Sequence, residues 1–356
     1  MALKAIYADI EQAKAELGAQ AVLLVHHYQR DEVVRFADFL GDSLELSRVA
    51  AEQRQARYIV FCGVNFMAET AAMLCDPNQQ VLLPAGDAPC PMARMADVDH
   101  AREAWDRLTS IWNDDLIPIT YQNSTAALKA FCGQRGGAVC TSSNAERLFK
   151  WALAEKGHLI FFPDQWLGTN SALALGISRD RIAVWDPDAP KDSFAQAREA
   201  TVVVWKGYCH VHTFFTVDHV RKVRAQYPGA GQTDPVRVMD PIHVIVHPEC
   251  PADVVAAADA YGSTAQIARY VQEASAGSTI AIGTEINMVG RLAREHPDKK
   301  IVPLARSLCG AMYRTTPEGL REALRSCVRG NPIHVVRVDP ETRRWANLAL
   351  ERMLNL

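Results

Sequence analysis

The stretch VVVWKGYCHVHTFFT, residues 202–216, sets three valines and a tryptophan in a row, then a glycine, then a cysteine with histidines at 210 and 212. A short all-apolar run rich in β-branched residues reads as a strand buried on both faces of a parallel sheet. Gly207 breaks it, and Cys209 follows with no second cysteine nearby to pair with. The same phrase, an apolar strand and then a loop with a cysteine, occurs as VLLPAGDAPC (81–90) and KIVPLARSLC (300–309).

Other phrases also come in threes. Strands ending in polar residues occur as AVLLVHHYQ (21–29), LIPITYQNST (116–125) and IHVIVHPEC (242–250). Small-residue turns opening a helix occur as GDSLELS (41–47), CTSSNAERL (140–148) and YGSTAQIA (261–268). Strands followed by a polar turn occur as YIVFCGVNFMAET (58–70), HLIFFPDQWLGTN (158–170) and STIAIGTEINMVG (278–290). Strands alternating with helical stretches give an α/β fold with parallel sheets, and the threefold recurrence of pattern predicts three similar αβα units. YPGAGQTDP (227–235) is the most linker-like segment and WDPDAPKDS (185–193) a second loop. The expected units are 1–100, 101–230 and 231–356, the last with a C-terminal helix.

Bulk properties narrow the function. The 356 residues suffice for two or three domains and carry a formal net charge of −3, which gives no electrostatic footprint for nucleic acid. Apolar runs such as AVLLV are too short to span a membrane, and the N-terminal stretch reads as an amphipathic helix rather than a signal peptide. A cytoplasmic protein is expected. Its nine cysteines are odd in number and none forms a C-x-x-C pair, so any metal site draws on distant cysteines.

In open α/β sheets ligands bind beyond the carboxyl ends of strands. Three units around a common axis would bring Cys90, Cys209 and Cys309 together. Three thiolates can hold a [4Fe–4S] cluster with one iron left open as a Lewis acid; the bland alternative is that each is a small buried hydrophobe. Cys62, Cys75, Cys140 and Cys327 keep the bland reading. Ser43, Ser142, Ser143, Ser263 and Thr264 are candidate helix N-caps, and free N–H groups at helix N-termini suit anions. His26, His27 and Tyr28, Tyr121 and Asn123, and His247 and Glu249 end the first strands and form a plausible proton-transfer set. Glu69 and Glu285 are expected to cap helices or make contacts between units.

At VHHYQ, GDSLELSR, PCPMARMAD, TYQNSTA, CTSSNA, FPDQWLGTN, VWKGYCHVH, VHPEC, YGSTAQI, IGTEINMVGRL and CGAMYRTT, the chain resembles the quinolinate synthase family nearly end to end. The resemblance implies three αβα domains with pseudo-threefold symmetry around a central active site. It implies a [4Fe–4S] cluster on Cys90, Cys209 and Cys309, and condensation of iminoaspartate with dihydroxyacetone phosphate to quinolinate, phosphate and water in NAD biosynthesis. Residue by residue, it implies His26 and Tyr28 in the active site, Ser43 on substrate, and Tyr121 and Asn123 on substrate with the tyrosine assisting proton transfer. Ser142, His212 and His247 follow on the substrate side, with Glu249 as general base or acid and Ser263 and Thr264 as anion contacts. L-aspartate oxidase is the implied source of iminoaspartate. The pattern departs at Asn65, where the family has His, at Pro89 before Cys90, and in CGAM after the third cysteine. Other readings are a different [4Fe–4S] hydro-lyase, a non-catalytic iron–sulfur sensor and a zinc hydrolase, the last poorly matched by three thiolates.

Overall fold

The apolar runs form strands because they can be covered on both faces. A computed structural model describes residues 3–189, 197–227 and 242–356. Strands β1 (Ala21–His26), β2 (Phe39–Gly41), β3 (Tyr58–Cys62) and β4 (Gln80–Leu82) form one sheet in the order β4-β3-β1-β2. The second sheet has β5 (Leu116–Tyr121), β6 (Ala138–Cys140), β7 (His158–Phe162), β8 (Ile182–Trp185) and β9 (Val202–Trp205) in the order β6-β5-β7-β9-β8. The third has β10 (His243–Val246), β11 (Ala260–Tyr261), β12 (Thr279–Gly283) and β13 (Lys300–Pro303) in the order β11-β10-β12-β13. Pairing among all of these is parallel. Every residue of β3, β5, β9 and β12 is buried, as a two-faced parallel strand requires.

Each sheet thus winds the same way: the opening strand lies between the second and third, and the cysteine-bearing strand lies beyond. Winding reverses at β1, β5 and β10, which leaves a crevice outside their carboxyl ends. The registers Val25↔Cys62, Thr120↔Phe162 and Val246↔Gly283 hold each opening strand level with its neighbour there. The edge strands β2, β6 and β11, only two or three residues long, were not separate features of the sequence reading.

The boundary expected near residue 100 falls inside the helix Val98–Trp112. Its buried Ala101, Ala104 and Leu108 pack with Leu116, Phe131 and Ile160 of the second unit, so the helix goes with that unit. The boundary after 230 and most of the linker 227–235 lie outside the described residues. The C-terminal segment crosses back over the other units. β14 (Val335–Val336) pairs antiparallel with β4, and the helix Pro317–Val328 packs its Leu320, Ala323 and Leu324 with Ile6, Ile10 and Ala13 of the N-terminal helix.

The last helix, Pro340–Asn355, lies against Ala126–Gln134 of the second unit. Small residues set this approach. A Cβ at Gly133 would meet the carbonyl oxygen of Trp345 at 1.9 Å. Gly133→Ala is therefore expected to lower stability by about 1–3 kcal/mol, read as a fall in the urea midpoint at unchanged slope. An unchanged midpoint would show that the two helices separate at no cost.

Candidate active site

The carboxyl ends of β1, β5 and β10 and the polar turns after them deliver their side chains into one cavity. His26 and Tyr28 come from the first turn, Tyr121 and Asn123 from the second, and His247 and Glu249 from the third. The first and third turns are built alike. The backbone N–H of Tyr28 donates to His26 Nδ1 at 3.1 Å, and that of Glu249 donates to His247 Nδ1 at 3.3 Å. Each imidazole accepts at Nδ1, so the hydrogen-bond pattern assigns its proton to Nε2. Burial disfavours the charged ring and carries His247 down to about 3 and His26 well below the ordinary histidine range. Both rings are neutral donors at physiological pH.

Glu249 lies at the middle of this set. Its Oε1 accepts the Tyr121 hydroxyl at 2.7 Å and lies 3.5 Å from His247 Nδ1. Oε2 is buried with no hydrogen-bond partner among the described residues. Burial raises the carboxyl to about 7, against the lowering by the Tyr121 and Cys209 contacts. Desolvation pushes the Tyr121 and Tyr28 phenols well above their usual range, so both stay protonated. The Tyr28 hydroxyl is 2.7 Å from Thr284 Oγ1 and 3.3 Å from His212 Nε2. His212 stacks on His247 with ring centres 4.2 Å apart, and its Nδ1 is buried without a partner among the described residues.

Three cysteines reach the same cavity: Cys90, Cys209 and Cys309, from the loops after β4, β9 and β13. They are half-buried, whereas the other six are buried in the cores, Cys62, Cys75, Cys140 and Cys327 among them. Desolvation raises the Cys90 thiol to about 12 and the Cys309 thiol to about 11. Cys90 and Cys309 each add to the rise at Cys209, so the three sulfurs feel one another. Among the described residues the one tight group of metal-ligating atoms is Cys209, His212 and Glu249, all within 4.8 Å of one another.

The whole chain carries this arrangement into known proteins. A profile of the family described as "Quinolinate synthetase A protein" matches residues 8–355. The chain belongs to this family. It is 47% identical over 99% of its length to a protein of Corynebacterium glutamicum named quinolinate synthase, 87% of which is covered. It is 47% identical over 98% of its length to one of Acidobacterium capsulatum with the same name, 92% covered. One of Bacillus anthracis, so named too, is 46% identical over 97% of the chain and 91% covered.

As helix caps, the serine turns read from the sequence need correction. Asp42, not Ser43, is the N-cap of the helix Ser43–Glu52, in a capping box with Glu45. Asn144 precedes the helix Ala145–Glu155, so neither Ser142 nor Ser143 caps it. Ser263 does cap the helix Thr264–Glu273, in a capping box with Gln266. Ser43, Ser142 and Thr264 face the cavity instead, as do His210 and His212; Ser263 is not among the walls. Glu285 caps the helix Ile286–Glu295, and Glu69 accepts the Ala126 N–H at 3.2 Å from the second unit, as read.

Two buried groups escaped the sequence reading. Asp164 caps the helix Gln165–Ala174, accepting the Leu167 N–H at 2.6 Å, and the adjacent Gln165 donates its N–H to Gly207 O at 2.8 Å, at the start of the Cys209 loop. The signal was there, an aspartate directly after an apolar strand and before a helix. Lys129 is fully buried and donates to the carbonyl oxygens of Gln122 (2.8 Å) and Ser124 (2.6 Å), which bracket Asn123. In AALKAF it reads as an ordinary surface lysine.

Burial lowers Lys129 from 10.5 to about 8. The unfolded chain therefore holds this proton to higher pH than the folded chain does. The penalty is fully present below about pH 8 and fades as pH rises toward 10.5. Wild type minus Lys129→Met should thus gain stability across that interval, by roughly 3 kcal/mol. Urea titrations at both ends of the range check this; a pH-independent difference would mean the amine is hydrated.

Proposed function

We propose that the chain is a quinolinate synthase that condenses iminoaspartate with dihydroxyacetone phosphate to give quinolinate, inorganic phosphate and water. One observation carries the reading: three of nine cysteines, from three different sheets, open into the cavity that holds Tyr28, Tyr121 and Glu249. Kinship with proteins named quinolinate synthase supports the product.

The donor set fits a [4Fe–4S] cluster. Three thiols and no fourth cysteine stand at the cavity, and they do not form the tight trio that a single ion draws together. Cys90, Cys209 and Cys309 would hold it, giving up their protons as they bind. When bound, such a cluster supplies an iron without a protein ligand, a Lewis acid for a substrate oxygen or nitrogen.

The chain's own residues do the rest. Ser43, Ser142 and Thr264, with Asn123 and the neutral histidines, offer donors to carboxylate and phosphate oxygens without a basic side chain. Asn123 Oδ1 is buried and unpartnered among the described residues, an acceptor for a substrate amine or hydroxyl. Glu249, poised near 7, takes a proton at Oε2 and returns it. Tyr121 steadies the carboxylate through Oε1, and Tyr28 donates a hydrogen bond while staying protonated. His212 and His247 hold each other by stacking and wall off one side. Iminoaspartate hydrolyses in water, so an aspartate-oxidising enzyme such as L-aspartate oxidase is the proposed supplier. Nine free thiols suit a cytoplasmic setting.

A second reading takes Cys209, His212 and Glu249 as ligands of a single metal ion. Protein purified without oxygen separates the two. About four irons and four sulfides per chain are expected; a colourless protein with one zinc would favour the single ion. Cys209→Ala should lose the iron, whereas Cys250→Ala should keep it, because Cys250 is fully buried in the core of the third unit. Iron lost from the Cys250 variant would put the ligands elsewhere.

Turnover tests the reaction. Protein holding its iron and sulfide is expected to form quinolinate from the two substrates. The Tyr121→Phe variant should do so on the order of 100-fold more slowly. No quinolinate from the loaded wild type would remove this reaction and leave the metal site standing.

A further inference from the structure

The hydroxyls that face the cavity at its helix N-termini come from three units, and one carboxylate lies beside all of them. Asp42 immediately precedes Ser43. Its Oδ1 accepts the backbone N–H groups of Leu44 at 2.9 Å and Glu45 at 3.0 Å, which caps that helix. Its Oδ2 accepts the hydroxyl of Ser143 and, at 3.3 Å, that of Ser263. Ser143 follows Ser142, and Ser263 precedes Thr264.

Helix capping accounts for Oδ1 alone. Oδ2 ties to partners 101 and 221 residues away in sequence. Asp42 is 4% exposed, so its oxygens are met by protein donors rather than by water. Hydrogen bonds to an ionised acceptor are about twice as strong as neutral ones, which suits a carboxylate to a three-way tie. Ser142 also borders an outer pocket walled by Ser143, Gly262 and Gln266, so the tie stands in the partition between that pocket and the cavity.

We propose that Asp42 is a positioning residue that fixes the mutual spacing of Ser43, Ser142 and Thr264, and so sets where the anionic groups of the ligand are received. The ligand's identity rests on the quinolinate synthase reading; the tie itself does not. Asp42 also lines the cavity itself, but its bonds run to the protein, and through Ser143 and Ser263 it reaches the neighbouring Ser142 and Thr264.

Amide hydrogen exchange and quinolinate titration of the full, iron-loaded chain test this. Asn at position 42 keeps a capping oxygen but meets the two serines with an amide. Asp42→Asn is expected to speed exchange in 142–145 and 263–266, to leave 44–46 unchanged, and to weaken quinolinate binding on the order of tenfold. Ser143→Ala, which leaves the cap intact, should speed exchange in 142–145 alone and weaken quinolinate less. Wild-type exchange in both remote segments of Asp42→Asn, with wild-type affinity, would overturn the proposal and leave a plain cap. Wild type that binds no quinolinate would defeat the functional reading, while the exchange pattern would still decide the role of Asp42.

Discussion

A carboxyl group kept from water favours its charged form only as far as its neighbours stabilise that form, and Glu249 lies buried where the ends of β1, β5 and β10 meet. Desolvation there is collective. It raises the glutamate and the two tyrosines and lowers the three histidines, so one cause gives a set of neutral donors around one group that changes charge near neutral pH. Each shift would be lost on a surface. The three-sheet architecture matters to the chemistry because it excludes water from a polar junction that no single sheet could enclose.

The same geometry answers how the walls of one cavity can be drawn from residues as far apart in the chain as His26 and Cys309. A parallel strand carries its chain in one direction, so polar residues placed after the last apolar position emerge at the carboxyl end. Three sheets wound in the same order put three such ends, and three cysteine loops, within reach of one space. Residues after the third strands then hold those loops. Asn65 accepts the Ala88 N–H at 2.7 Å, Gln165 donates its N–H to Gly207 O at 2.8 Å, and Ile286 donates its N–H to Ser307 O at 2.9 Å.

Much of this was legible in the chain. Runs such as YIVFC and VVVW have one stable use, a strand covered on both faces, and the order of phrases carried the sheets with them. The polar residues after those runs were legible for the same reason. What sequence concealed was which partner each group meets. Lys129 lies in a helical stretch whose periodicity says nothing of the carbonyl oxygens waiting beside it. Asp42 did carry a sign, since an acid followed by Glu three residues later is a capping box, but the neighbouring serine drew the reading away. Its ties to Ser143 and Ser263 depend on how separate units meet, and local pattern holds no record of that.

The central claim is that the cavity joins an acid–base carboxylate to a cluster with one iron left for the ligand. Mössbauer spectroscopy of the anaerobic, iron-57-enriched chain tests it most directly, with and without quinolinate. The account predicts a four-iron signal in which about a quarter of the intensity shifts when quinolinate is added. A spectrum that quinolinate leaves unchanged, or a chain that takes up no iron, would contradict it.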